Sequence, residues 1–97
     1  MDKQPCVYIM SNRPNGVLYT GVTSDVIQRT WQHRNHSVDS FTKKYKLTRL
    51  VYYELHGDMY SAITREKVLK NWRRSWKIGL IEGLNPEWDD LFDQIIG

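Results

Sequence analysis

The chain has 97 residues, 40% of them hydrophobic and 26% charged, with a net charge of +3 and one cysteine. That size suits one domain with a modest core, and the composition excludes a disordered chain. No apolar run approaches the roughly 18 residues that span a bilayer, the start MDKQPCVY lacks the regions of a secretory leader, and a lone Cys6 excludes an internal disulfide or a cysteine-based zinc cluster.

A cytoplasmic protein is therefore expected, with no membrane partner and with Cys6 as a small buried side chain. The charge is uneven: residues 24–77 hold 12 Lys or Arg against 5 acids, whereas residues 78–97 hold 5 acids and no base. A basic body with an acidic end points to a polyanion-binding face set away from the C-terminal segment.

In chain order, CVYIM and VLYTGV read as two strands joined by the turn SNRPNG. A two-residue loop at Asn15-Gly16 and a four-residue loop over 13–16 both leave Tyr8 and Tyr19 on the same face of the hairpin. With the longer loop, Gly21 lies opposite Tyr8 and leaves a hollow beside the phenol. Ordinary sheet packing accounts for two cross-strand tyrosines as well. Thr23 or Ser24 is expected to cap a helix running to about Asn35, with Val26, Ile27, Thr30 and Trp31 on its inner face. Arg29 and His33, four residues apart, flank that face. HSVDSFTKKYK reads as a polar loop and TRLVYYEL as a third strand, ended by His56-Gly57-Asp58. Asp58 is expected to cap a long helix through roughly Arg74, and SWKIGLIEGL to add a short helix ending near Gly83. Asn85-Pro86 reads as the N-cap and first position of a helix over PEWDDLFDQII. The predicted fold is α/β, a small three-stranded antiparallel sheet flanked by helices, in one domain over 1–97.

Glu66 falls in the middle of the stripe Met59, Ala62, Ile63 and Leu69. A carboxylate on the buried side of a helix is costly unless it is paired, for instance with Arg73, or binds a cation. Arginine suits contact with phosphate, and histidine can take or relay a proton near neutral pH. A same-face tyrosine pair, an Arg/His pair and this Glu together fit phosphodiester hydrolysis, which needs a metal, a positive group for developing charge and a base for water. Arg34, Lys43, Lys44, Lys46, Arg65, Lys67, Lys70, Arg73, Arg74 and Lys77 form the candidate surface for a nucleic-acid backbone, bound in a salt-sensitive, sequence-tolerant way. Trp31, Trp72, Trp76 and Trp88 are expected to pack in the core and between helices.

The order Tyr8, ten residues, Tyr19-x-Gly21, then Arg29, His33 and a later helical Glu66 resembles the GIY-YIG endonuclease superfamily. FTKKY, LVYYE, AITREKVLKNWRR and NPEWDDL resemble its single-domain bacterial members, so the likeness runs from Val7 to Leu91. The name-giving triplets have drifted to Cys6-Val7-Tyr8 and Tyr19-Thr20-Gly21, and Val22 stands where some members carry a lysine. The resemblance implies that Glu66 is the one protein ligand of a divalent metal, Mg²⁺ or Mn²⁺. It implies Tyr8 as general base or its orienter, Tyr19 as a positioner of water or phosphate, Arg29 as the phosphate holder and His33 as an aid to proton removal. The family asparagine maps onto Asn85, with Asn71 as the alternative; Asn85 is equally explained as a helix cap. The implied activity is endonuclease action on nucleic acid, DNA rather than RNA by analogy, with a homodimer or partner protein for cutting two strands. A nucleic-acid-binding module with little turnover and a protein-interaction domain are the rival readings.

Overall fold

Alternating β-branched and aromatic residues on either side of the Pro-Asn-Gly turn build β1 (Cys6–Ser11) and β2 (Leu18–Thr23). A computed structural model describes residues 4–35 and 40–96. In the turn, Asn12 Oδ1 accepts from the Val17 amide at 3.0 Å, the Gly16 amide bonds the Arg13 carbonyl at 3.0 Å, and Asn15 takes the left-handed region that asparagine tolerates. The register that follows sets Tyr8 opposite Gly21 and Met10 opposite Tyr19. This is the pairing of the four-residue loop. β3 (Arg49–Leu55) pairs antiparallel with the other side of β1, so the order is β2-β1-β3 and every residue of β1 is buried.

A bulge between Ile9 and Met10 inserts Val51 into the β1–β3 ladder, since Ile9 faces Tyr52 while Met10 faces Leu50. It keeps Leu50 and Tyr53 on the face of Tyr8 and Met10, packed with Leu47 and Leu91. Val51 and Tyr52 turn to the opposite face with Ile9, Ile81 and Trp88. On that second face Val7 and Val22 meet Ala62 and Leu69 of α3 (Met59–Lys70). Helices therefore cover both faces: α1 (Val26–Arg34), α2 (Ser40–Tyr45) and α5 (Phe92–Ile96) on the tyrosine side, α3 and α4 (Arg74–Leu84) on the other.

Several local expectations are corrected. Asp25, not Thr23 or Ser24, caps α1 by accepting from the Gln28 amide at 3.1 Å; Thr23 still belongs to β2 and its hydroxyl instead turns back on Asp25. The buried residues of α1 are Thr30 and His33, while Trp31 is 56% exposed. Part of the expected polar loop is helical as α2, and its 36–39 portion lies outside the described residues. Asp58 caps α3 as expected, accepting from the Ser61 amide at 2.7 Å, but the helix stops at Lys70: the Asn71 backbone amide bonds the Val68 carbonyl at 3.1 Å, and its side-chain Nδ2 donates to the Lys67 carbonyl at 3.0 Å. Asn85 ends α4 rather than starting a helix at Pro86. Its Nδ2 donates to the Val51 and Asp89 carbonyls at 3.1 and 2.8 Å and its Oδ1 accepts from the Asp89 amide at 3.0 Å, while Trp88, with φ of 57°, coils inward to burial. Of the four tryptophans only Trp88 is buried; Trp76, like Trp31, is more than half exposed.

Candidate active site

Gly21 is where the site begins. A Cβ built there would lie 2.5 Å from both Cζ and Oη of Tyr8, so the phenol rests on the backbone of the facing strand. No left-handed backbone is involved; the requirement for glycine is space. The Tyr8 hydroxyl lies 3.0 Å from Nε2 of the buried His33 and accepts a 3.4 Å hydrogen bond from Nε of Arg29. Arg29 and His33 are one helical turn apart on α1, which explains why both reach the same oxygen. Tyr19 completes the cluster, its ring centroid 6.4 Å from that of Tyr8 and 5.5 Å from that of His33.

Arg29 also donates from Nη1 to Gln32 Oε1 at 3.4 Å. Its hydrogen bond to Tyr8 raises its pKa further, with partial burial opposing and Tyr19 reinforcing, so the guanidinium keeps its charge between two phenols. Four of the expected residues, Tyr8, Tyr19, Arg29 and His33, thus converge on one face of the sheet.

Glu66 stands apart from these four, on α3, which covers the other face of the sheet. It lies on the inward stripe between Ala62 and Leu69, its side chain is 13% exposed, and Oε1 pairs with Lys70 Nζ at 3.2 Å rather than with Arg73. β2 is an edge strand, with Tyr19 on one of its faces and α3 packed against the other. Thr20 Oγ1 is buried on the α3-covered face and has no hydrogen-bond partner among the described residues. Among those residues no group of three His, Cys, Asp or Glu side chains forms a metal cage. Asn85 is committed to β3 and the 85–89 turn, as described above. Asn71 closes the end of α3.

The basic residues separate by environment. Arg34 pairs with Asp90 at 3.0 Å, Arg65 pairs with Glu54 at 2.9 Å, and Arg73 lies over the Trp76 ring. Arg74 braces the hairpin by donating to the Asn15 and Gly16 carbonyls at 2.8 and 2.6 Å. Lys43, Lys44, Lys46 and Lys67 are exposed, and no carboxylate pairs with them among the described residues. Lys77 is partly buried near Arg74 and Lys70, which lowers its pKa, first through desolvation and then through repulsion.

The sequence reading missed a second polar cluster on the α3 face. Glu54 receives Arg65 Nε and the Tyr52 hydroxyl and lies 2.8 Å from His56 Nε2. Burial pushes its carboxyl up, but those three partners outweigh it and hold the pKa below the ordinary value. It missed Phe41 beside Tyr19 as well. Burial pushes the Cys6 thiol up to about 12, as suits an inert core side chain. Two clefts beside α1, one of about 260 Å³ reached by Gln4, Asp25, Val26 and Tyr53 and one of about 350 Å³ reached by Gln28, Trp31 and Phe92, contain none of the converging groups.

The GIY-YIG catalytic domain family model matches residues 4–79. UPF0213 proteins from Staphylococcus saprophyticus and Staphylococcus epidermidis are each 35% identical to this chain, over 81 and 82 residues, covering 84% of it and 96% and 98% of their own lengths. The solution NMR structure of a UPF0213 protein from Bacillus halodurans matches with a TM-score of 0.56 at 25% identity, covering 90% of this chain and 92% of that one. The three-stranded antiparallel sheet, the tyrosine hairpin and these matches place the chain in one family: it belongs to the GIY-YIG domain proteins, similar over most of its length to the UPF0213 proteins.

Proposed function

We propose that this chain is a divalent-metal-dependent endonuclease that hydrolyses nucleic-acid phosphodiester bonds, with DNA as substrate by family analogy. The observation that carries the reading is the Tyr8 hydroxyl, held between His33 Nε2 and Arg29 Nε on a floor cleared by Gly21. Packing alone needs neither a cation nor an imidazole on that oxygen.

Holding a phenol of pKa near 10 ionised at pH 7 costs about 4 kcal/mol. Tyr8 therefore works as a neutral relay. As water attacks phosphorus and the P–O bond to the leaving sugar oxygen breaks, the water's proton passes to Tyr8 Oη while the phenol's own proton passes to His33 Nε2, and the leaving oxygen takes its proton from solvent. Arg29 donates to the same oxygen and so leaves the O–H to point at the imidazole. The rest of its guanidinium fork serves the scissile phosphate and the charge that develops on it. Tyr19, next to both rings, orients the attacking water or the phosphate.

Glu66 suits a hard divalent cation such as Mg²⁺ or Mn²⁺. The side chain is mostly buried, Oε1 is the oxygen paired among the described residues, and one carboxylate completed by water and phosphate oxygens is a common way to hold Mg²⁺. A cation held there would supply Lewis-acid polarisation of the phosphate. Asn85, tied to the Val51 and Asp89 carbonyls, is given a structural part at the end of α4 rather than a part in the chemistry. A second reading, a nucleic-acid-binding module with little turnover, is favoured by the Lys70 ammonium that already neutralises Glu66.

Nicked, branched and single-stranded DNA incubated with Mg²⁺ or Mn²⁺ separates the two. Wild type is expected to cut, and Glu66→Ala and Tyr8→Phe to be slower by about 10²- to 10⁴-fold. Equal cleavage by wild type and Glu66→Ala refutes the nuclease assignment, and cleavage by none of the three supports the binding module.

A further inference from the structure

The ring contacts do not stop at the buried tyrosines. From Tyr19 they continue to Phe41, at 6.2 Å between centroids, and from Phe41 to Tyr45 at 4.9 Å. These two rings belong to α2 and reach the surface, Phe41 being 43% and Tyr45 38% exposed. A six-residue helix that needed them only for packing would bury them, as Leu47, two residues beyond its end, is buried.

The exposed rings share their segment with positive charge. Lys43 and Lys44 share the helix, Lys46 follows it, and the Lys44 ammonium lies 5.4 Å from the centroid of the Tyr45 ring. None of the three lysines has a carboxylate partner among the described residues. Aromatic faces interleaved with lysines suit a ligand that carries both flat rings and phosphates. A duplex buries its base faces in its own stack and cannot use such a platform, whereas an unpaired nucleotide can.

Building on the nuclease reading, we propose that Phe41 and Tyr45 form a stacking platform for an unpaired base next to the phosphate handled by Tyr19 and Arg29, so that the substrate class is nucleic acid with an unpaired nucleotide beside the cut. Lys43, Lys44 and Lys46 hold the backbone that leads to that base. The platform selects for strand state rather than sequence, because every base has a π-face.

Fluorescence anisotropy in EDTA, where no metal supports cleavage, tests this with three labelled DNA probes: a single strand, an abasic strand of equal length, and a blunt duplex. Wild type is expected to bind the base-bearing strand about 5- to 150-fold more tightly than the abasic one, the range for stacking one base. The double variant Phe41→Leu/Tyr45→Leu keeps apolar bulk but loses the π-faces. It is expected to bind all strands with the affinity of the abasic probe while its duplex affinity and thermal unfolding stay as in wild type. Equal binding of base-bearing and abasic strands by wild type, or a preference kept by the folded double variant, overturns the platform alone. Failure of wild type to bind any of the three probes overturns the nucleic-acid reading and the platform with it.

Discussion

Replacing Gly21 with alanine tests the construction of the site at its tightest point. The new methyl would begin 2.5 Å from Cζ and Oη of Tyr8, against an ordinary contact of 3.4 Å, so the phenol has to withdraw by about 1 Å. It has little room to do so, because β1 is buried along its whole length and the hydroxyl is tied to His33 and Arg29. Overpacking of this kind costs about 1–3 kcal/mol of stability. A displacement near 1 Å of a group at the reacting centre is worth about 10²-fold in rate. We therefore expect Gly21→Ala to unfold several degrees below wild type, by calorimetry, and to retain about 1% of the metal-dependent cleavage rate. Gly21→Ala with wild-type melting and wild-type cleavage would show that the phenol is not seated on the facing strand and would refute this reasoning.

Lys70→Met frees the Glu66 carboxylate and is expected to tighten Mn²⁺ binding by up to about fivefold in an EPR titration, with stability changed by less than about 1 kcal/mol; weaker binding would count against Glu66 as the metal ligand. Trp88→Ala is expected to cost about 3–5 kcal/mol and Trp31→Ala less than about 1 kcal/mol in urea unfolding, and equal costs would contradict their burial. Glu54 has a folded pKa held below its ordinary 4.5, so its contribution is fully present above pH 4.5 and is lost as pH falls through the folded value. Melting temperatures of wild type and Glu54→Gln should thus differ at neutral pH and converge in acid; a gap that widened as pH fell would reverse the sign.

The hairpin was legible because its determinants are local. The turn residues limit the loop length, two-residue periodicity puts both tyrosines on one face whichever loop forms, and the longer loop alone sets Gly21 against Tyr8. Glu66 on an inward stripe was legible for the same reason, through the helical period that links it to Ala62 and Leu69. The misses are tertiary. Trp31 fits an apolar stripe by pattern, but the inner face of α1 turns toward the Tyr8 hydroxyl, which selects His33 instead. Asn85-Pro86 has the chemistry of a helix start, yet the bond from Asn85 to the Val51 carbonyl and the burial of Trp88 hold the segment in turns until Phe92. The break after Lys70 carries no glycine or proline, only an asparagine amide folded back on its own helix. Which basic residues are neutralised, Arg34 by Asp90 and Arg65 by Glu54, depends on partners 56 and 11 residues away.

A crystal structure with Mn²⁺ and an oligonucleotide made uncleavable by a modified phosphate addresses the proposed chemistry most directly. The mechanism predicts anomalous density for the metal on the Glu66 carboxyl, Lys70 displaced from it, and a phosphate reached by both that metal and the Arg29 guanidinium, with Tyr8 still bonded to His33. Density showing Glu66 still closed by Lys70, with the phosphate bound away from Tyr8 and Arg29, would contradict it.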